Sequence, residues 1–181
     1  MAQLDKKNMN PLALTYPHRD IRDEEFFWTA WRTTDKIKEA MDKYNLTRGM
    51  RNNNPLNIEK GNSWQGERNP QTDRRFEEFI SLEYGLRAGF IILRKYMSRP
   101  PKGYGLDTLA RIITRWAPNS ENNTANYIRI VSTRSQVPAQ ERLRWTDKNK
   151  LCRIVQAMCF VESAEVISFG VIENAYELAK I

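Results

Sequence analysis

Three glutamates stand where a carboxylate could do chemistry. Glu39 comes late in a helix-like stretch, just ahead of an asparagine-rich run. Glu78 lies in a strand-like segment. Glu121 sits in the context Trp-Ala-Pro-Asn-Ser-Glu-Asn. Other catalytic groups are scarce. His18 is the only histidine, which excludes a triad or a zinc site built on several histidines. No glycine-rich phosphate loop or metal-ligand spacing is visible, so no cofactor is expected. Carboxylates alone suffice for glycosidic bond cleavage. One acid of raised pKa protonates the leaving oxygen, and a second carboxylate or a positioned water completes the reaction. In a lytic transglycosylase one glutamate serves as acid and base, and the sugar's own hydroxyl closes the ring. Glu39 is the first choice for the general acid and Glu121 the second. Plainer readings stand beside each. Glu39 also fits an exposed helix carboxylate, and Glu121 a carboxylate at a helix N-terminus. On an alternating strand only one of Glu77 and Glu78 faces inward.

The run from Arg48 to Ile58 is Arg-Gly-Met-Arg-Asn-Asn-Asn-Pro-Leu-Asn-Ile. It offers almost no apolar face. Asparagine side chains bond nearby backbone and tolerate left-handed conformations, so a tight, heavily hydrogen-bonded turn is expected. Pro55 biases Asn54 away from the helical region. Arg48 and Arg51 flank the turn with fixed forks of donors. Such density of polar groups suits the floor of a polar cleft, and equally a loop that only shapes itself. Trp64 and Trp116 could stack on sugar rings, although large aromatics also serve cores.

The elements that must hold these groups follow from periodicity. Residues 1–22 read as a flexible N-terminal arm, interrupted by Pro11 and Pro17. Residues 23–181 read as a single domain. Glu24 to Tyr44 has helical spacing. Residues 57–60, 63–66 and 75–79 are short strand candidates, with Gly61-Asn62 as the turn between the first two. Ser81 caps a helix reaching Ser98, whose inward stripe is Leu82, Leu86, Gly89, Phe90, Leu93 and Tyr96 or Met97. Gly85 and Gly89 would let another backbone approach closely. Helices follow over 107–116, then after an Asn119 or Ser120 cap, then over 147–162 behind a Thr146 cap, and over 169–179. The fold class is α+β, predominantly helical, with a small antiparallel β-ribbon.

With 29 Lys and Arg against 22 Asp and Glu, the formal charge is +7. That favours polyanionic surroundings, such as nucleic acid or anionic wall polymers. The basic cluster Arg142, Arg144, Trp145, Lys148, Lys150 and Arg153 reads as a solvated face, since no named nucleic-acid motif accompanies it. Cys152 and Cys159 are two helical turns apart, too far for a bridge, and suit buried apolar positions in a reducing compartment. Met1 to Asn10 lacks an apolar core of the secretory kind, and no run is long enough to span a bilayer.

Long motifs carry a resemblance. Arg48 to Ile58, Trp64-Gln-Gly66, Phe76-Glu-Glu-Phe79, Glu83-Tyr-Gly-Leu-Arg-Ala88, and Trp116-Ala-Pro-Asn-Ser-Glu-Asn-Asn-Thr124 with Tyr127 resemble a family of phage and prophage proteins commonly labelled virion structural proteins. The similarity continues through Ala157-Met158 and Glu162, covering roughly residues 48 to 180. More distantly, the asparagine turn, the Asn-x-Ile strand and the aromatic strand before a helix are similar to the glucosaminidase branch of the lysozyme-like superfamily. That likeness implies a lysozyme-like fold with Glu39 at the catalytic position. Here Glu39-Ala40 replaces the usual Glu-Ser pair.

The resemblance leaves two functions. The first is a phage-encoded peptidoglycan glycosidase in the virion. It implies peptidoglycan as partner, a cleft lined by Asn52, Asn53, Asn57, Trp64, Arg87 and Asn122, and a half-buried glutamate opening onto it. The second is a non-catalytic virion structural protein on the same scaffold, with other virion proteins as partners. It implies that Glu39, Glu78 and Glu121 are exposed or locked in ion pairs. Either would be made in the host cytoplasm. Arg48, Arg51 and Arg87 would order the turn or hold a substrate carboxylate. A nucleic-acid binder would need the basic cluster contiguous with the cleft.

Overall fold

The computed structural model describes residues 46–119 and 123–180. The expected arm, the helix from Glu24 to Tyr44 with Glu39, and the residues Ser120, Glu121 and Asn122 lie outside them. Within the described residues the order is α1 (Arg48–Arg51), α2 (Leu82–Met97), α3 (Leu109–Trp116), α4 (Thr124–Ser135), α5 (Lys148–Ser163) and α6 (Phe169–Leu178). The architecture is predominantly helical, as the periodicity implied.

Helix α5 is central. It packs against α4, α6 and the short α1, while α2 lies along α6. Its apolar face is Leu151, Ile154, Val155, Met158 and Cys159, all buried. These meet Leu86, Phe90 and Leu93 of α2, Ile112 and Ile113 of α3, and Ile172 and Tyr176 of α6 in one cluster. Each large aliphatic side chain so buried contributes about 1.5–3 kcal/mol. Cys152 and Cys159 are free and buried. Burial pushes the Cys152 thiol up to about 11, and the Cys159 thiol further in the same direction. At the other end of the core, Tyr176 stacks on Trp145 at 5.1 Å and meets the Phe90 ring edge-on at 5.4 Å.

The glycines of α2 do what their spacing suggested. A Cβ on Gly85 would stand 1.9 Å from the Asn53 carbonyl oxygen, and one on Gly89 would stand 2.2 Å from Leu56 Cδ1. Helix α2 therefore sits directly on the asparagine turn. At Gly85 the obstacle is backbone and a Cβ is excluded, whereas at Gly89 a Cβ would have to push aside the tip of Leu56.

The β structure differs from the expected ribbon. Among the described residues it consists of isolated antiparallel bridges, including Glu59 with Phe76 and Glu67 with Phe79. The expected hairpin about Gly61-Asn62 is replaced by pairing of both outer segments with the 75–80 stretch. Glu77 N–H donates to the Ile58 carbonyl at 2.9 Å, and Arg68 N–H to the Glu78 carbonyl at 2.7 Å. The reason is competition for backbone groups. Phe79 N–H donates to the Asn52 carbonyl at 2.9 Å, so the asparagine turn occupies a partner a longer ladder would need.

Three caps also differ. Ser81 precedes α2 but makes no side-chain cap. Helix α4 is capped by Asn123, whose Oδ1 accepts from Asn126 N–H at 3.1 Å, rather than by Asn119 or Ser120. Helix α5 begins after Asp147 rather than Thr146, and the Asp147 carboxylate turns back to accept from Arg144 N–H at 2.9 Å.

Candidate functional site

The asparagine turn is built almost entirely by its own side chains. After α1 the chain reverses through Asn52 to Asn57. Asn53 and Asn57 both take left-handed backbone, each at φ 51°, a region asparagine enters more readily than most non-glycine residues. Asn54 is fully buried. Its amide nitrogen donates to the Ile58 and Glu77 carbonyls at 2.9 Å each, and its oxygen accepts from Ile58 N–H at 2.9 Å. Both of its donors are therefore used, which is what makes a buried amide tolerable. Asn53 donates to the Phe79 carbonyl at 2.9 Å.

A second polar knot lies beside it. Arg48 grips Asp73 with two parallel bonds, Nε at 2.7 Å and Nη2 at 2.6 Å. Asn52 adds a third at 2.7 Å, and the N–H groups of Arg75 and Phe76 add bonds at 2.9 and 3.0 Å. The Arg48 fork above all, with these N–H groups, holds the Asp73 carboxyl far below the usual carboxylate range despite burial. Glu78 is also enclosed. Burial by itself would raise its carboxyl. The N–H groups of Asp73 and Thr72, the Thr72 hydroxyl and the Arg68 guanidinium at 3.0 Å hold it below the ordinary value instead. Glu78 is thus an ion-paired structural carboxylate.

Two carboxylates line a cleft beside the turn: Glu59, paired with Arg75, and Glu162, near the end of α5. Glu162 Oε1 accepts from the Trp116 indole N–H at 3.1 Å and from the Tyr127 hydroxyl at 2.9 Å. Its Oε2 accepts from the Asn57 amide at 3.3 Å, and the same amide donates to the Glu162 backbone carbonyl at 3.1 Å. One residue therefore joins the asparagine turn to α3, α4 and α5. Burial first, and then the neighbouring Glu162 charge, drive the Tyr127 hydroxyl strongly upward, so it stays a donor. Through these bonds Glu162 holds donors from the turn, α3 and α4 in place.

The cleft has a volume of about 490 Å³ and is bounded by Leu56 to Glu59, Asn62, Arg75, Phe76, Ile92, Tyr96, Trp116, Ala117 and Glu162. Of the residues expected to bind substrate, Asn57 lines it. Asn52 is turned to Asp73 and Asn53 to the Phe79 carbonyl. Trp64 is half-buried against the core with its indole N–H lacking a hydrogen-bond partner. Arg87 donates to the Leu178 carbonyl at 3.1 Å and so fastens the end of α6. Asn122, Glu39 and Glu121 lie outside the described residues. Arg48 orders the turn, and Arg51 donates to the Leu46 carbonyl. Reasoning on residue types missed Glu162 as a candidate. A signal existed, since it stands four residues after Met158, in phase with the buried stripe of α5.

No known protein-family profile matches the chain. A phage protein does. Over 100 residues the chain is 45% identical to Protein P5 of Pseudoalteromonas phage PM2, a match that covers 53% of this chain and 60% of that protein.

Proposed function

We propose that this chain is a phage virion protein of the structural kind, in which the asparagine turn and its carboxylates act as a scaffold without turnover. The observation that carries this reading is how the carboxylates around the turn are occupied. Asp73, Glu78 and Glu162 each accept from several fixed donors. Asp73 and Glu78 sit below their ordinary pKa values, whereas a glycosidase acid must hold its proton near neutral pH. Likeness to a phage protein over 100 residues supports the phage origin in this reading. In this reading the partners are other virion proteins. Mass spectrometry of gradient-purified particles tests it. The protein should be present at a fixed copy number per particle, and purified protein should leave bacterial walls turbid. Absence from particles would overturn the assignment.

A second reading is the peptidoglycan glycosidase. A specific feature favours it: a cleft of about 490 Å³ that combines a carboxylate with Tyr96, Trp116 and Phe76, aromatics of the kind that stack on sugar rings. Glu39 and Glu121 remain its acid candidates. Turbidity loss and released sugar ends from walls of several bacteria, lost in Glu39→Gln or Glu121→Gln variants that still fold, would establish it.

A further inference from the structure

The basic cluster read from sequence does not stay together in the fold. Lys148 turns to α6, where it pairs with Glu173 at 3.2 Å and Glu177 at 2.9 Å. Arg153 donates to Gln136 at 3.4 Å. The other three, Arg142, Arg144 and Lys150, join Arg94 and Arg99 around a separate cleft of about 800 Å³. This cleft is distinct from the one at Glu162.

Its walls are fixed. One is the last part of α2 and the turn after it. The other is the segment entering α5. Leu143 N–H donates to the Asp107 carbonyl at 2.7 Å, and Thr108 bridges Arg142 in antiparallel sense, so the two walls are tied. Trp145 lies at the base, stacked on Tyr176, with the Arg94 guanidinium 5.6 Å above its ring.

From these observations we propose that this cleft binds the phosphate backbone of double-stranded DNA. Five cations line it against two carboxylates, Asp107 and Asp147, and Lys150 is already paired with Glu141, which leaves four arginines to meet phosphates. Four of the five are arginines, whose planar forks match phosphate oxygens. Arg142 and Arg144 have side chains 86% and 82% exposed, and their partners Asp107 and Asp147 stand at 3.5 and 3.3 Å. Exposed pairs of this kind contribute little, so their heads are available to a phosphate. A membrane surface fits less well. The exposed large apolar residues among those described are Ile80, Tyr104 and Val166, and none of them lines the cleft. Backbone contacts read charge and not sequence, so binding should be non-specific and strongly salt-dependent.

The test is fluorescence anisotropy of the full chain with a labelled duplex of about 20 base pairs, between about 50 and 200 mM salt. With four neutralised phosphates the log–log salt slope should be near about −4. Arg142→Glu with Arg144→Glu should weaken binding at least about tenfold at the lower salt and make the slope shallower by about two. Arg129→Glu, an exposed change on α4 away from the cleft, should change affinity less than about twofold. Arg142→Gln with Arg144→Gln serves as a milder pair should the reversal perturb folding, checked by circular dichroism. Wild-type protein that ignores the duplex, or cleft variants that bind it like wild type, would overturn the proposal. So would binding to vesicles of anionic phospholipid in the absence of any duplex binding.

Discussion

Asn54 shows how one side chain specifies the turn. It is completely buried, and its amide satisfies two carbonyls and one N–H. Replacing it with alanine leaves the Glu77 carbonyl and the Ile58 N–H without partners in a dry site, while the Ile58 carbonyl keeps its bond from Glu77 N–H. Each orphaned group costs about 1–3 kcal/mol, with some recovered by relaxation. Asn54→Ala should therefore lower stability by about 3 kcal/mol or more, read as a reduced denaturant midpoint with unchanged m-value. Asn52→Ala removes a single bond to Asp73 and should cost much less. Asp73 makes a second prediction at the same scale. Its folded pKa lies below the unfolded value near 4, as does that of Glu78. The stabilisation they provide is fully present above that pH and is lost as pH falls further, because the folded carboxylates must then take up protons. Unfolding followed by urea between about pH 6 and 2 should show stability falling below about pH 5, and Asp73→Asn should flatten that fall. A flat profile in wild type would sink the ion-pair account of Arg48 and Asp73.

Helices α2 and α6 give the clearest element-scale contrast. Gly85 presses on the Asn53 backbone, where an added Cβ would meet the carbonyl oxygen at 1.9 Å. Gly85→Ala should force α2 off the turn and cost more than about 3 kcal/mol, beyond anything its better helix propensity returns. Gly170 in α6 has only Ser168 Oγ near, at 4.0 Å. There Gly170→Ala should stabilise by about 0.5–1 kcal/mol. Thermal melts of the two variants side by side test whether the contact or the propensity decides. This contact also shows what was legible. The pair Gly85 and Gly89 announced a close approach, and the apolar stripes of α2, α3 and α5 could be read from their periodicity. The ribbon could not. Its hydrogen bonds depend on which backbone groups the asparagine turn already holds, and that is settled by contacts 20 or more residues apart, such as Asn54 with Glu77 and Asn53 with Phe79.

At the scale of the whole molecule, Glu162 tests whether the cleft beside the asparagine turn is scaffold or catalyst. Residue types alone pointed to Glu39, Glu78 and Glu121, because carboxylates beside turns and helix starts are visible in a sequence. Glu162 was hidden by its place in a buried stripe, and only the packing of α5 brings it to Asn57, Trp116 and Tyr127. As a structural link it ties the turn to three helices, so its removal strands donors on all sides. Glu162→Ala should then lower stability by about 1–3 kcal/mol, the cost of leaving half-buried donors without their partner. Glu162→Gln keeps the shape but turns one acceptor into a donor facing an N–H or O–H, so it should lose a large part of the same amount. A catalytic carboxylate behaves in the opposite way. Active sites hold groups that fit function better than folding, and neutralising them commonly leaves stability unchanged or raised while activity vanishes. Chemical denaturation and wall-lysis assays on the same two variants therefore separate the readings. Large stability losses in both, with no lysis by wild type to lose, place Glu162 in the scaffold. Preserved stability with abolished lysis would move the chemistry of this molecule to α5.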